Sequence, residues 1–187
     1  MIRTMKVTLI PNNRQKTRMF QYAGAARYAY NWALDAEGTN YENGGKFISD
    51  VDLRRVFTQH KAEPGKGWLF TISNNVTKQA IKDACEAFKR FFQKKAAFPR
   101  FKSRKHSRPS FYQDPVKLKF TETHVKLEGF ALSKRKSRQK LNWIRLAECG
   151  RIPVGVKYYN PRPELVGIRW RGVPGQRRVA ARRGNRD

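Results

Sequence analysis

The chain has 187 residues, with 41 Lys plus Arg against 14 Asp plus Glu and a formal net charge of +27. Hydrophobic residues make up 39% and aromatics 12%, enough apolar material for a real core, which argues against full disorder. No apolar run reaches the roughly 18 residues of a membrane span, no secretory signal is read at the N-terminus, and Cys85 and Cys149 supply neither a disulfide framework nor a four-ligand zinc site. The chain therefore reads as intracellular and reduced, long enough for one domain or two small ones. So large a positive excess self-repels in a compact fold unless a polyanion neutralises it, and nucleic acid is the expected partner.

Met5 to Ile10 alternates apolar and polar residues, as a half-buried strand does. Pro11-Asn12-Asn13 ends it, and Asn12 or Asn13 is placed to cap a helix predicted over 14–36. Phe20, Ala23, Arg27, Tyr30 or Asn31, and Leu34 recur at three- and four-residue intervals, which predicts one face. Arg27 and Asn31 are polar on that core-like face, so either the fold satisfies them or the face meets something polar. A loop follows over 38–46. Ser49-Asp50-Val51-Asp52 reads as a capping box opening a second helix with Leu53, Val56, Phe57 and His60. Glu63-Pro64-Gly65-Lys66-Gly67 stops it. A third helix is predicted from Ser73 or Asn74 to about Lys95, with Val76, Ala80, Ala84, Ala87, Phe88 and Phe91 as its apolar stripe.

From Ala97 the period changes to two. Strands are predicted over 116–120, 124–128, 141–146, 155–159 and 167–170, separated by Gly, Pro and charged turns. The fold class is α+β: a β-barrel or sandwich, begun by one strand before the helices and interrupted by a three-helix insertion.

Two basic segments stand out. Phe98-Pro99-Arg100-Phe101-Lys102-Ser103-Arg104-Lys105-His106-Ser107-Arg108 interleaves cations with aromatics. Lys and Arg bind phosphates and Phe stacks on an unpaired base, so the mixture suits single-stranded or irregular RNA. Ser133-Lys134-Arg135-Lys136-Ser137-Arg138-Gln139-Lys140 has no aromatic and reads as a phosphate-binding hairpin tip or a solvated turn. Signatures of catalysis are missing: there is no P-loop, no nucleophile-elbow Ser and no His-Glu-x-x-His, and the histidines His60, His106 and His124 sit singly on different predicted elements. A two-metal nuclease needs converging carboxylates, and the closest pairs here, Asp35 with Glu37 and Asp50 with Asp52, do not amount to such a site. No catalytic or metal-ligating residue is assigned.

Several motifs in order resemble the N-terminal part of TnpB (OrfB), the RNA-guided nuclease family of insertion-sequence transposons and a relative of type V CRISPR effectors. They are Lys6-Val7-Thr8-Leu9-Ile10-Pro11-Asn12; Gly24-Ala25-Ala26-Arg27-Tyr28-Ala29-Tyr30-Asn31-Trp32-Ala33-Leu34; Lys78-Gln79-Ala80-Ile81 through Ala87-Phe88-Lys89-Arg90-Phe91-Phe92; and Phe98-Pro99-Arg100-Phe101-Lys102. Ser110-Phe111 fits as well.

The resemblance implies a wedge-like β-barrel formed by 1–12 and 97–170 and a helical recognition lobe over 13–96; the Arg-rich tail over 171–187, read from its composition, is expected to be disordered or to serve as a flexible nucleic-acid-binding arm. The resemblance implies a guide RNA from the transposon end, and the candidates read from the basic segments and the first helix for binding or supporting it are Arg27, Asn31, Arg100, Phe101, Lys102, Arg104, Lys105, Lys134, Arg135 and Lys136. It also implies double-stranded target DNA, with Asn74, Asn75 and Lys78 at the third-helix start as candidates for contacting the transposon-adjacent motif. The family's RuvC-like domain cuts with an Asp-Glu-Asp site and Mg²⁺; its Asp-x-Gly motif and four-Cys zinc element are not found in these residues. The expectation is therefore a truncated, nucleic-acid-binding fragment that needs no cofactor of its own and does not cleave. It would act in the prokaryotic cytoplasm near the nucleoid, with a second RuvC-bearing chain as a further expected partner. Two alternatives stay open, the N-terminal half of a split endonuclease and a helix-turn-helix-like DNA-binding regulator.

Overall fold

The computed structural model describes residues 5–130, 141–155, 157–164 and 169–175. Its elements run β1 (Met5–Ile10), α1 (Asn13–Glu42), α2 (Asp50–His60), α3 (Asn74–Phe92), β2 (Lys119–Phe120), β3 (His124–Lys126), β4 (Trp143–Leu146), β5 (Lys157–Glu164) and β6 (Arg169–Gly175), with a 3₁₀ turn over Gly67–Thr71. The class is α+β, with the helices inserted between the first strand and the rest.

Each helix begins where a polar side chain satisfies its free N–H groups. Asn12 Oδ1 accepts from Gln15 N and Gln15 Oε1 accepts from Asn12 N, both at 2.9 Å, a reciprocal box opening α1. The same Gln15 donates from Nε2 to the carbonyls of Leu141 and Trp143 at 3.0 and 2.8 Å, so the cap also docks α1 on β4. At α2 the Ser49 hydroxyl accepts from Asp52 N and donates to the Asp52 carboxylate. Ser73 caps α3.

Helix α1 runs past its predicted end, through Gly38, to Glu42. Tertiary contact extends it: Glu37 is buried, and Tyr41 packs on Phe91 and Phe92 at 6.2 and 5.4 Å between ring centroids. The predicted single face is also corrected. Phe20 points to solvent, whereas Met19, Tyr22, Ala25, Ala29 and Ala33 are buried. Packed between α3 and the sheet, α1 buries more than one stripe, so no single apolar face could be read from its spacing.

All six strands form one antiparallel sheet in the order β2-β3-β4-β1-β6-β5. The first strand is central, with Leu9 opposite Leu146 on one side and Val7 opposite Trp170 on the other. The sheet curls until its edges meet through side chains: Phe120 on β2 and Tyr158 on β5 lie 4.7 Å apart. Phe111 N and Gln113 N donate to the carbonyls of Pro163 and Pro161, extending the β5 edge. The result is a curled half-barrel.

The strand predicted over 116–120 shrinks to Lys119–Phe120. Asp114 Oδ1 accepts from Val116 N at 2.9 Å and its carbonyl accepts from Lys117 N and Leu118 N, folding the preceding residues into a turn. At the other end β6 extends to Gly175, into the segment expected as tail. Where helices meet sheet, Tyr22 packs on Phe111 and Phe130 at 5.4 and 5.3 Å. Gly129, at φ +75°, lets the chain pass there, because a Cβ would collide with the Tyr22 hydroxyl.

Candidate nucleic-acid interface

The basic loop after α3 is pinned to α1 by one side chain. Asn31 Nδ2 donates to the Lys102 carbonyl and Asn31 Oδ1 accepts from Lys102 N, both at 2.8 Å, as a neighbouring strand would. This fixes which loop residues face inward. Lys102 lays its ammonium 3.6 Å from the centre of the Tyr30 ring, a close cation–π contact. Burial pulls the Lys102 ammonium below the usual lysine range, with Asp83 acting the other way and Arg162 reinforcing the fall. The outward residues Arg100, Phe101, Arg104 and Lys105 are all exposed. A tight turn holds Arg104 and Lys105 at its tip, since Ser103 Oγ accepts from His106 N and Ser107 N donates to the Ser103 carbonyl. Phe98 instead packs against Phe88 and Phe91 at 5.4 and 5.2 Å and anchors the loop.

Behind Lys102 lies a cavity of about 160 Å³, with Arg27, Gln79, Asp83, Lys102, Arg108 and Arg162 in its wall. Arg162 reaches it from β5. Asn160 and Pro161 together face Gly172, a bulge with Asn160 at φ 45°. Just beyond it, the Arg162 guanidinium grips both carboxylate oxygens of Asp83 on α3 at 2.8 and 3.0 Å. Gln79 Nε2 also donates to Asp83. The one carboxylate of this wall is thus taken, while Arg27, Lys102 and Arg108 share the same small volume without one. Such an uncompensated cluster attracts an anion, and a phosphate group has the right charge and acceptor count. A wider groove continues from it along α3 past Lys82, Arg90 and Tyr112.

The loop places Lys102, Arg100, Arg104 and Lys105 together, and α1 brings Arg27 and Asn31 to its inner side. Asn31 holds the loop rather than offering a free amide. Arg108 and Arg162 are members that sequence reasoning did not single out. Arg108 lay within the basic segment, whereas Arg162 carries no local signal because its position depends on the bulge. Lys134, Arg135 and Lys136 lie outside the described residues.

The residues at the α3 start divide. Asn74 and Lys78 are exposed one turn apart. Asn74 Oδ1 accepts from the buried Lys61 ammonium at 2.8 Å. Asn75 turns inward, its amide donating to Asp114 and Glu128 at 3.2 Å each, so it ties α3 to the sheet. Among the described residues no group of three or more His, Cys, Asp or Glu is placed to hold a metal ion, and no helix is long and apolar enough to cross a membrane.

A family model for the OrfB/IS605 helix-turn-helix domain matches residues 1–46. The provisionally named RNA-guided DNA endonuclease InsQ of Escherichia coli (strain K12) is 30% identical over 156 residues, 83% of this chain and 36% of that protein. The chain corresponds to the N-terminal part of TnpB (OrfB) family proteins. A provisionally named RNA-guided DNA endonuclease of Streptomyces pristinaespiralis is 27% identical over 154 residues, 82% of this chain and 37% of the relative. A provisionally named transposase, A625R of Paramecium bursaria Chlorella virus 1, is 32% identical over 99 residues, 49% of this chain and 22% of the relative. The chain therefore spans just over a third of the length of the two endonuclease-named TnpB relatives. Of the segment matched as helix-turn-helix, the described part holds β1, the single long helix α1 and the start of the following loop; α2 begins only at Asp50.

Proposed function

We propose that this chain is the wedge and recognition part of a TnpB-type assembly, binding guide RNA and presenting it to double-stranded DNA. The observation that carries this reading is the convergence of Arg27, Lys102, Arg108 and Arg162 on one cavity whose single carboxylate, Asp83, is already paired. In this reading Arg100, Phe101, Arg104 and Lys105 track the RNA from outside, with Lys134, Arg135 and Lys136 adding phosphate contacts. Asn31 supports them by fixing the loop. Asn74 and Lys78 face the DNA motif, and Asn75 secures the helix from which they project. Cleavage belongs to an RuvC-like domain holding Mg²⁺, supplied from outside these residues, as by a second chain. The site of action is the prokaryotic cytoplasm, at the nucleoid.

The test is to purify the chain from cells, sequence the RNA that accompanies it, and titrate that RNA across a salt series. Transposon-end RNA should be recovered, and log K should fall with log salt by about 0.7 per neutralised single-strand phosphate. A flat salt dependence sinks the reading. So does plasmid cutting in Mg²⁺ by the purified chain with guide and no other polypeptide, as far as the division of labour goes. The helix-turn-helix match favours a second reading, a DNA-binding regulator without RNA; duplex binding that survives RNase unchanged would establish it over the first.

A further inference from the structure

Across α1 from the basic cavity lies a second cleft, of about 710 Å³, with Gln21, Gly24, Arg27, Tyr28 and Trp68 in its wall. Trp68 is 44% exposed, an amphipathic ring left open to solvent on the 3₁₀ turn. It stands edge-on to Tyr28 with centroids 5.7 Å apart. Tyr28 is itself held in place, its hydroxyl 2.6 Å from His60 Nε2, with His60 Nδ1 2.9 Å from Glu63. The cleft therefore has a fixed aromatic corner.

Gly24 forms part of its wall. A glycine inside a helix costs roughly 0.5–1 kcal/mol relative to alanine, and a Cβ at Gly24 would meet nothing within 4 Å. Packing in the free protein does not require the missing side chain. Gly38, on the same helix, is equally unconstrained but lies away from the cleft and serves as an internal control.

Two polar side chains of the wall offer donors, and the Thr71 hydroxyl, which donates to the Trp68 carbonyl at 2.8 Å, offers an acceptor. Arg18 only donates, so its 2.9 Å bond to Gln21 must use the Gln21 carbonyl oxygen and leaves the Gln21 amide N–H groups available. Arg27, which borders both this cleft and the basic cavity, makes no hydrogen bond or ion pair among the described residues. A planar aromatic corner, an amide donor beside it, and a guanidinium shared with a phosphate-sized cavity are the complement of a single nucleotide.

Resting on the nucleic-acid reading above, we propose that this cleft captures one unstacked base of the bound RNA. The base packs against Trp68 and Tyr28 over Gly24, and its phosphate lies on Arg27 towards the basic cavity.

The test uses the full chain with ten-nucleotide oligo(U) RNA, which stacks weakly on itself. Gly24→Leu projects a side chain into the cleft, and Gly38→Leu adds the same side chain elsewhere on the helix. Base–aromatic stacking supports about a tenfold loss of oligo(U) affinity for Gly24→Leu, with an unchanged salt slope and a melting temperature equal to or above that of the unsubstituted chain. Trp68→Ala should lose affinity similarly, and Gly38→Leu should not. Unchanged oligo(U) binding by Gly24→Leu, with the salt slope intact, overturns the cleft while leaving the nucleic-acid reading in place. Loss confined to duplex DNA overturns RNA as the occupant. If the unsubstituted chain binds neither RNA nor DNA, the broader reading falls and this one with it.

Discussion

Asn31 shows how a polar residue on an apolar helix face acquires its role. Its amide takes both hydrogen-bonding groups of Lys102, replacing a strand partner the loop does not otherwise have. Asn31→Leu keeps the volume but leaves those backbone groups unpaired. It should cost about 1–3 kcal/mol in urea unfolding, and RNA affinity should fall although Asn31 need not touch RNA. Glu37 makes a different prediction. It is buried on α1 with its Oε1 accepting from Ile48 N at 3.1 Å, and burial raises its carboxyl above the ordinary value while that bond opposes the rise. A raised folded-state pKa contributes stability that is fully present below the unfolded value and lost as pH rises through the folded one. Glu37→Gln keeps the acceptor and removes the charge. The native chain should therefore lose stability relative to Glu37→Gln as pH rises from about 4 towards neutrality. Melting curves that run parallel over that interval would rule this out.

Among the elements, the loop from Phe98 to Arg108 and the β5 bulge matter most, because together they bring cations from two directions onto α3. The Arg162–Asp83 pair joins the half-barrel to the helices, with side chains 30% and 24% exposed. A double-mutant cycle with Arg162→Met and Asp83→Ala should give a coupling of about 1 kcal/mol, discounted for partial solvent screening. A coupling indistinguishable from zero would mean the two halves are held by apolar packing alone. Much at this scale was legible. The Asn12 and Ser49 caps mark their helix starts, and the change of period after Ala97 marks the turn to strands. The shortening of the 116–120 strand was not, since strict alternation there competes with an Asp114 turn that hydrogen bonds decide. The exposure of Phe20 was missed for another reason: a helix packed on two sides has no single apolar stripe.

At the scale of the molecule, charge governs. With a net +27 over 187 residues, the proposed RNA binding should be strongly salt-dependent, and the cavity is where part of that charge gathers. Arg108 borders the cavity without a carboxylate partner among the described residues. Arg108→Gln should therefore flatten the log K against log salt slope for single-stranded RNA by about 0.7 and weaken all sequences alike. An unchanged slope would remove Arg108 from the interface. A sequence-dependent loss would mean that it reads bases.

The sequence by itself determined the large positive charge, the order of strand, helices and strands, and the family, because charge, periodicity and motif order are local or additive properties. It also marked the basic loop that carries most of the proposed RNA contacts. Tertiary structure alone decided which of those cations converge. Arg162 lies far along the chain from Arg27 and Asp83 and joins them only through the curl of the sheet and one bulge. It likewise decided that Asn31 and Asn75 turn their amides into the fold, where partly buried backbone and carboxylate groups take them as partners.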